Sequence, residues 1–489
     1  MTEDATALAP FSGGYFLKEF GIDEALCRKL LTKALSRGGD FADLYFEHSL
    51  SDWVGLEDGR VDRSYGSVAL GVGIRTVKDE QVGYGFTQDL SEAAMLTAAA
   101  TAASLVNQAP SPVAAGFSAL RNGIHYPVDT GRIFIPLRSK LPVLRKVHEL
   151  CTSLSPLVTN VSASFVSSVK HILVVTSDGV VAEDSAPLGN LGALVVVERD
   201  GRKERSGWNL GGRREASYYS DATVDTIARV SVDRALKLLD AVQPPAGQFP
   251  VVLGPGLSGV LLHEAIGHGM EGDFNRKGTS TYSSSLGRKV AEPFVTIVDD
   301  ATVPMLSGSI HVDDEGTPGQ RTVLVERGIL KGFLHDRISA RHYGVPATGN
   351  GRRQDFMHAP IPRMRNTFML AGAARPGDLV KAAGNGIYVE DVANGEVRIG
   401  EGDFSFYVSQ GRLIENGRLG AAIKDVNIMG NGPKMLSDII GVADDLQMYE
   451  GGSGRCGKDG QAVPVSFGLP TCLVRSLTVG GVQAKRGNS

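Results

Sequence analysis

The stretch "LLHEAIGHGMEGD", residues 261–273, decides how the second half of this 489-residue chain is read. A glutamate, Glu264, directly follows His263, and a second histidine, His268, stands five positions beyond the first. The H-E-x-x-H pattern of zinc proteases sets its histidines four apart on one helix face. On a regular helix, residues four apart lie about 40° from one another around the axis, and residues five apart about 140°. At the wider angle two imidazoles do not converge on one ion with bonds of about 2 Å. A π-bulge, one extra residue in a turn, brings position i+5 back over position i, and such bulges concentrate at functional sites. Gly267 stands where the chain would have to widen, so H-E-x-x-x-H is compatible with chelation.

Outward from this stretch, "FPVVLGPGLSGVLLHEAIGHGMEGD" (249–273) reads as strand, glycine turn and helix, with Ser258 as a cap. Positions 257, 260, 261, 262 and 266 make an apolar stripe and predict deep burial. Buried imidazoles need partners, and metal coordination is one way to supply them; the alternative is a chance match in which both histidines are structural. Glu264 points to a different side from His263, which suits a general base acting on water better than a ligand. A catalytic zinc has three protein ligands and one open position. Candidates for the third are Glu271, Asp273, His311, His335, His342, His358 and the cysteines. Cys456 stands out among them. It lies in the polar, glycine-dense "EGGSGRCGKDGQAVPV", where a structural cysteine is out of place, and a thiolate would complete a soft His/His/Cys site suited to zinc. Cys27 and Cys151 fall on amphipathic helices and Cys472 in an apolar strand, which predicts core packing for all three.

A net charge of -4 offers no basic face for nucleic acid and no polybasic membrane patch. The longest nearly apolar run, "PVVLGPGLSGVLL", is too short to span a bilayer and is broken by Pro255. The first residues lack the basic and apolar regions of a signal peptide, and four cysteines form no disulfide framework, so a cytoplasmic protein is expected. Glycine is abundant, 61 residues against a usual share of roughly 7%, and favours turns and β-structure.

"VQPPAGQFP" (242–250) marks the stronger of two boundaries, predicting an α/β domain over 1–243 and a β-rich domain over 244–489. "NQAPSPVAAG" (107–116) marks a sub-boundary in the first. That region carries two similar stretches, from Glu57 and from Ser177. Each has a D-G turn, an apolar strand, a glycine-bearing strand and a helix opening at Ser91 or at Ser220–Asp221. After Pro250 short strands and turns dominate, with helices around 256–270 and within "GPKMLSDIIGVADDL". The fold class is therefore α+β: repeated β-meander and helix units, then a β-rich domain with an embedded metal-binding helix. "GTPG" (316–319) is a candidate lining of the site, "GNGRR" (349–353) reads as a turn with a solvated arginine pair, and His311 and His335 as ordinary histidines.

"LLHEAIGHGMEGDF" resembles the metal helix of the TldD/PmbA family, in particular its catalytic subunit. "DDEGTPGQRTVLVERGILKGFLHD", "ATGNGRR", "PRMRNTFML", "FSFYVSQGRLIENG", "IMGNGP" and "RCGKDGQAVPVSFGLP" resemble further family segments in the same order. The resemblance implies a zinc metalloprotease in which His263, His268 and Cys456 bind the ion and Glu264 activates water. It also implies a homologous partner of the TldE/PmbA kind, and small unfolded peptides as substrates, taken up as an added β-strand. Substrate-binding residues remain unassigned at this level. The alternative is a peptide-binding or regulatory protein whose zinc is structural. The glutamate beside the first histidine separates the two, because a structural site has no use for it.

Overall fold

A computed structural model describes residues 10–120, 123–129 and 135–481. The N-terminal region is one sheet made of two similar triplets of strands. Strand β1 (Phe41–Glu57) turns through Asp58 and Gly59, both at positive φ, into β2 (Arg60–Lys78), and β3 (Gln81–Thr87) follows. The second triplet is β4 (Val158–Thr176), β5 (Val180–Arg199) and β6 (Arg202–Gly212). Each triplet is flanked by helices: α1 (Glu24–Ala34) and α2 (Glu92–Ala103) for the first, α3 (Leu137–Leu154) and α4 (Asp221–Leu239) for the second. Ser91 caps α2 by accepting the Ala94 N–H, and Ser220 is the N-cap residue of α4. Antiparallel pairing of β1 with β4 joins the triplets in the order β3-β2-β1-β4-β5-β6, so the repeat read from the two D-G stretches is a physical one.

Strand alternation divides the sheet into two faces. On one, Leu44, Phe46 and Leu173 pack with Cys27 and Leu30 of α1 and Met95 of α2. Further along the same face, Val54, Phe165 and Leu191 pack with Leu144 and Cys151 of α3 and Ile227 of α4. Cys27 and Cys151 thus occupy corresponding core positions. On the other face Tyr45, Ile172 and Val174 meet Val312 and Phe356 from the second half of the chain.

That second half is built on a closed ring of five strands. β7 (Gly247–Leu253) lies between β8 (Gly386–Arg398) and β11 (Cys472–Gly481); β10 (Val426–Asn431) and β9 (Asp403–Glu415) continue the ring, and β9 pairs back with β8. A smaller sheet around 297–300, 321–326, 366–369 and 466–469 packs beside it. The segment 259–270 runs between the two. A helix does open in "GPKMLSDII", at Gly432–Ser437, but the chain then returns to strand. Short helices at Arg337–Tyr343 and Pro376–Ala383 were not expected from periodicity. Among the described residues no helix is long and apolar enough to cross a membrane.

The seam between sheet and second half is held by buried charge. Arg75 of β2 donates from Nε to Asp43 Oδ2 of β1 at 2.7 Å and from Nη1 to Glu315 Oε1 at 2.7 Å. Arg353 reaches the other Asp43 oxygen at 3.2 Å. All four side chains are buried. The arginines of "GNGRR" are therefore not solvated: Arg353 stacks on Tyr45 and ties the halves together, and Arg352 donates to the Met364 and Pro464 carbonyls. "GTPG" likewise faces the sheet, with Gly316 against Val174 and Thr176, rather than residues 263–268.

Two carboxyls here are displaced upward. Burial, reinforced by the Glu315 charge, pushes Asp313 up to about 7 and Asp336 up to about 6. An acid whose folded pKa exceeds its unfolded value of about 3.9 adds no penalty below that pH and costs stability as pH rises toward the folded pKa. Asp336 caps the helix Arg337–Tyr343 through Oδ1, a role that asparagine fills equally well. Asp336→Asn is expected to match wild type in stability near pH 4 and to exceed it near pH 8, by a few kcal/mol at most, with a correspondingly higher thermal midpoint. Scanning calorimetry at both pH values checks this, and a difference independent of pH would refute it.

Candidate metal centre

Gly259–Leu262 forms one α-helical turn, and His263–Gly267 then widens into a π-helical turn in which the His268 N–H bonds the His263 carbonyl. This is the extra residue that the five-residue spacing requires. It brings the two imidazoles to a centroid distance of 5.3 Å, nearly perpendicular. Gly267 is needed here because a Cβ would overlap Met364 Sδ, and Gly432 because one would overlap the Ala265 carbonyl. The turn is thus gripped from two sides. Ser258 does not cap the helix; its hydroxyl donates back to the Gly254 carbonyl.

Cys456 arrives from a two-stranded hairpin, Arg455–Lys458 paired with Gln461–Pro464. Its Sγ lies 3.3 Å from His268 Nε2, and ligand atoms of His263, His268 and Cys456 all lie within 4.8 Å of one another. Arg363 fixes the hairpin by donating to the carbonyls of Cys456 and Gln461.

The chemistry of this trio fits a soft divalent cation. His263 is 1% exposed, and neither ring nitrogen has a hydrogen-bond partner, a costly state that coordination would relieve. Burial alone would push the Cys456 thiol up, but the two imidazoles beside it hold it well below the usual range. Burial pushes Cys151 and Cys472 up to about 12, so they remain thiols. Cys456 alone of these is set up as a thiolate.

Glu271 and Asp273, candidates for the third ligand, stand behind the site instead. Glu271 Oε2 lies 3.0 Å from His268 Nδ1, which leaves Nε2 directed at Cys456. The same carboxylate faces Lys458 Nζ at 3.1 Å, and Asp273 takes Lys458 at 2.7 Å. Burial would raise Glu271, but Lys458, His268 and Arg363 outweigh it and hold the acid at about 2. A carboxylate on the far nitrogen of a metal-binding histidine fixes its tautomer and raises its basicity. Lys458 was missed in the sequence, yet it lies two residues after Cys456 on a strand and so shares its face. The remaining histidines stand elsewhere: His311 on Asp184, His342 on Glu80, His358 on Asp355, and His335 beside Tyr343.

Glu264 is the exposed member of the centre. Its side chain is 26% exposed against 4% for His268, and Oε2 lies 3.7 Å from His268 Nε2. Glu264 thus flanks the candidate trio as a partly exposed carboxylate.

Comparison with known proteins follows this geometry. Residues 42–106, 134–239 and 246–481 match the family descriptions PmbA/TldA metallopeptidase domain 1, central domain and C-terminal domain. The chain is 38% identical over 453 residues to a Haemophilus influenzae protein named metalloprotease TldD homolog, covering 91% of this chain and 94% of that one. A Saccharolobus solfataricus protein named zinc metalloprotease TldD homolog is 28% identical, covering 93% and 99%. Among solved structures, a Thermotoga maritima protein described as a modulator of a DNA gyrase superposes with a TM-score of 0.74 at 23% identity, covering 90% and 96%. TldE from Thermococcus kodakarensis does so with 0.72 at 16% identity, covering 94% and 99%. With family matches spanning both halves and a candidate His/His/Cys trio brought together, the chain belongs to the PmbA/TldD metallopeptidase family.

Proposed function

We propose that the protein is a zinc-dependent peptidase that hydrolyses peptide bonds in small unfolded peptides, with Glu264 as general base. The observation that carries this reading is the pairing of a buried, partnerless His263 and an acidified Cys456 with a partly exposed carboxylate alongside. Zinc held by His263, His268 and Cys456 supplies Lewis acidity toward water and the scissile carbonyl. Glu264 takes a proton from the attacking water on a carboxylate oxygen and returns it to the leaving amine. Glu271 keeps His268 in the tautomer that presents Nε2.

A homologous subunit of the TldE kind is the proposed partner. Support comes from the shared fold and from the outer edge of β2, where residues 60–70 pair with β1 alone among the described strands and Val61, Tyr65 and Val68 are exposed. Such an edge invites pairing with another chain. A cytoplasmic setting is proposed on the four cysteines, all free and buried.

Glu264→Gln is expected to retain about one zinc per chain and to lose about 10²–10⁴-fold in peptide hydrolysis. Elemental analysis and cleavage of an unstructured peptide read both quantities; persistent cleavage would remove Glu264 from the mechanism. Metal-replete wild type that cleaves nothing would favour the binding-protein alternative. Cys456→Ala is expected to lose the ion, whereas Glu271→Gln should weaken its binding by about 10–100-fold. Competition with a chelator of known affinity measures this, and full retention by Cys456→Ala would mean that the third ligand is another group.

A further inference from the structure

A cavity of about 480 Å³ lies between the N-terminal sheet and the second half of the chain. Its floor is a patch of small side chains on neighbouring strands: Ser49 and Ser51 of β1, Ser67 and Ala69 of β2, Ser168 of β4 and Ala186 of β5. Small residues there leave the sheet surface open to an extended chain. The opposite wall includes Arg352, Arg365 and Arg455, and Arg213 closes one end.

These four arginines have an unusual property. None of their guanidinium groups forms an ion pair with a carboxylate among the described residues; the Asp299 carboxylate beside Arg365 accepts from its backbone N–H, at 2.9 Å, rather than from its side chain. Arg352 donates only to the Met364 and Pro464 carbonyls, Arg365 to Gly349 O, and Arg213 to Pro187 O. Arg365 Nη2 and Arg213 Nε are buried with no hydrogen-bond partner at all, and both residues are at least nine-tenths buried. Arg455, by contrast, is exposed, and its guanidinium makes no bond to any described residue. Of the acids lining the cavity, Asp184 is engaged with His311 and Tyr126, Asp314 with the Arg353 N–H, Asp355 with His358, and Glu47 with Lys170 through Oε1, its Oε2 being buried without a hydrogen-bond partner. Buried guanidinium groups left unpaired are costly, and a bidentate carboxylate is their natural complement.

Position relates the cavity to the metal centre. Arg455 precedes Cys456 on one strand, so the two side chains leave opposite faces of the hairpin. Arg455 therefore stands on the opposite face of the ribbon that carries the thiol, and the ribbon's other strand contributes Val463 and Pro464 to the cavity. We infer that this cavity is a carboxylate-binding exosite, which anchors a peptide through a carboxylate several residues away from the bond that is cut. The inference rests on the peptidase reading for its ligand class, while the binding itself requires no cleavage. The carboxylate has two possible sources, a peptide C-terminus or an acidic side chain.

The test uses the full chain loaded with zinc and carrying Glu264→Gln, so that binding is read without turnover. Fluorescence anisotropy would compare three versions of one unstructured peptide: a neutral-side-chain free acid, its C-terminal amide, and an amide bearing one internal aspartate. A carboxylate on these arginines should tighten binding roughly tenfold over the neutral amide. A preference for the free acid assigns the site to the C-terminus, and a preference for the aspartate peptide assigns it to side chains. Arg455→Gln, which breaks no bond in the fold, should bring the ratio close to one, and Arg455→Lys should restore part of it. Arg213→Gln tests the same ratio from a different strand. Equal affinity for all three peptides, or a preference untouched by both glutamine variants, overturns the inference. Discrimination in a chain whose wild type cleaves nothing would sink the peptidase reading and leave the exosite standing.

Discussion

The structure depends on a cluster of charge that neither half could bury alone. Asp43 and Arg75 belong to the sheet, Glu315 and Arg353 to the second half, and each side chain is out of contact with water. Removing one member of such a cluster leaves an uncompensated buried charge, which costs about 3–5 kcal/mol. Separating the halves would expose Tyr45 and Phe356 as well. The cluster therefore fixes where the sheet sits on the rest of the molecule, and with it the shape of the cavity between them.

The metal centre was the most legible part of the chain. The five-residue spacing of His263 and His268 demanded a π-turn, and the helix widens at the residues in question. Cys456 was legible through its setting, since a lone cysteine among glycines and charges has no packing role to play. It is in fact fully buried, at the edge of the apolar core of the second half and beside the two imidazoles. The strand triplets of the sheet were legible too, because D-G turns and Ser N-caps act locally.

What stayed hidden depended on partners distant in sequence. Arg352 and Arg353 look like a solvated turn until Asp43 and the Pro464 carbonyl, from opposite ends of the chain, are placed beside them. Glu271 reads as a ligand candidate because spacing says nothing about which face of His268 it meets. The ring of strands closes by pairing 247–253 with 472–481, a contact that no local pattern announces. Ser258 has the chemistry of a cap but sits in helical backbone already, so its hydroxyl turns to Gly254.

The hairpin that carries Cys456 has a consequence in time as well as in space. His268 and Cys456 are separated by 188 positions. During synthesis from the N-terminus, both histidines and Glu264 emerge long before the thiol that completes the ligand set. The strand that closes the ring, 472–481, emerges later still. A nascent chain therefore carries His263, Glu264 and His268 before the hairpin that brings Cys456 to them exists. The trio of His263, His268 and Cys456 can assemble only after residues 455–464 have been made, when most of the N-terminal sheet is already available to fold.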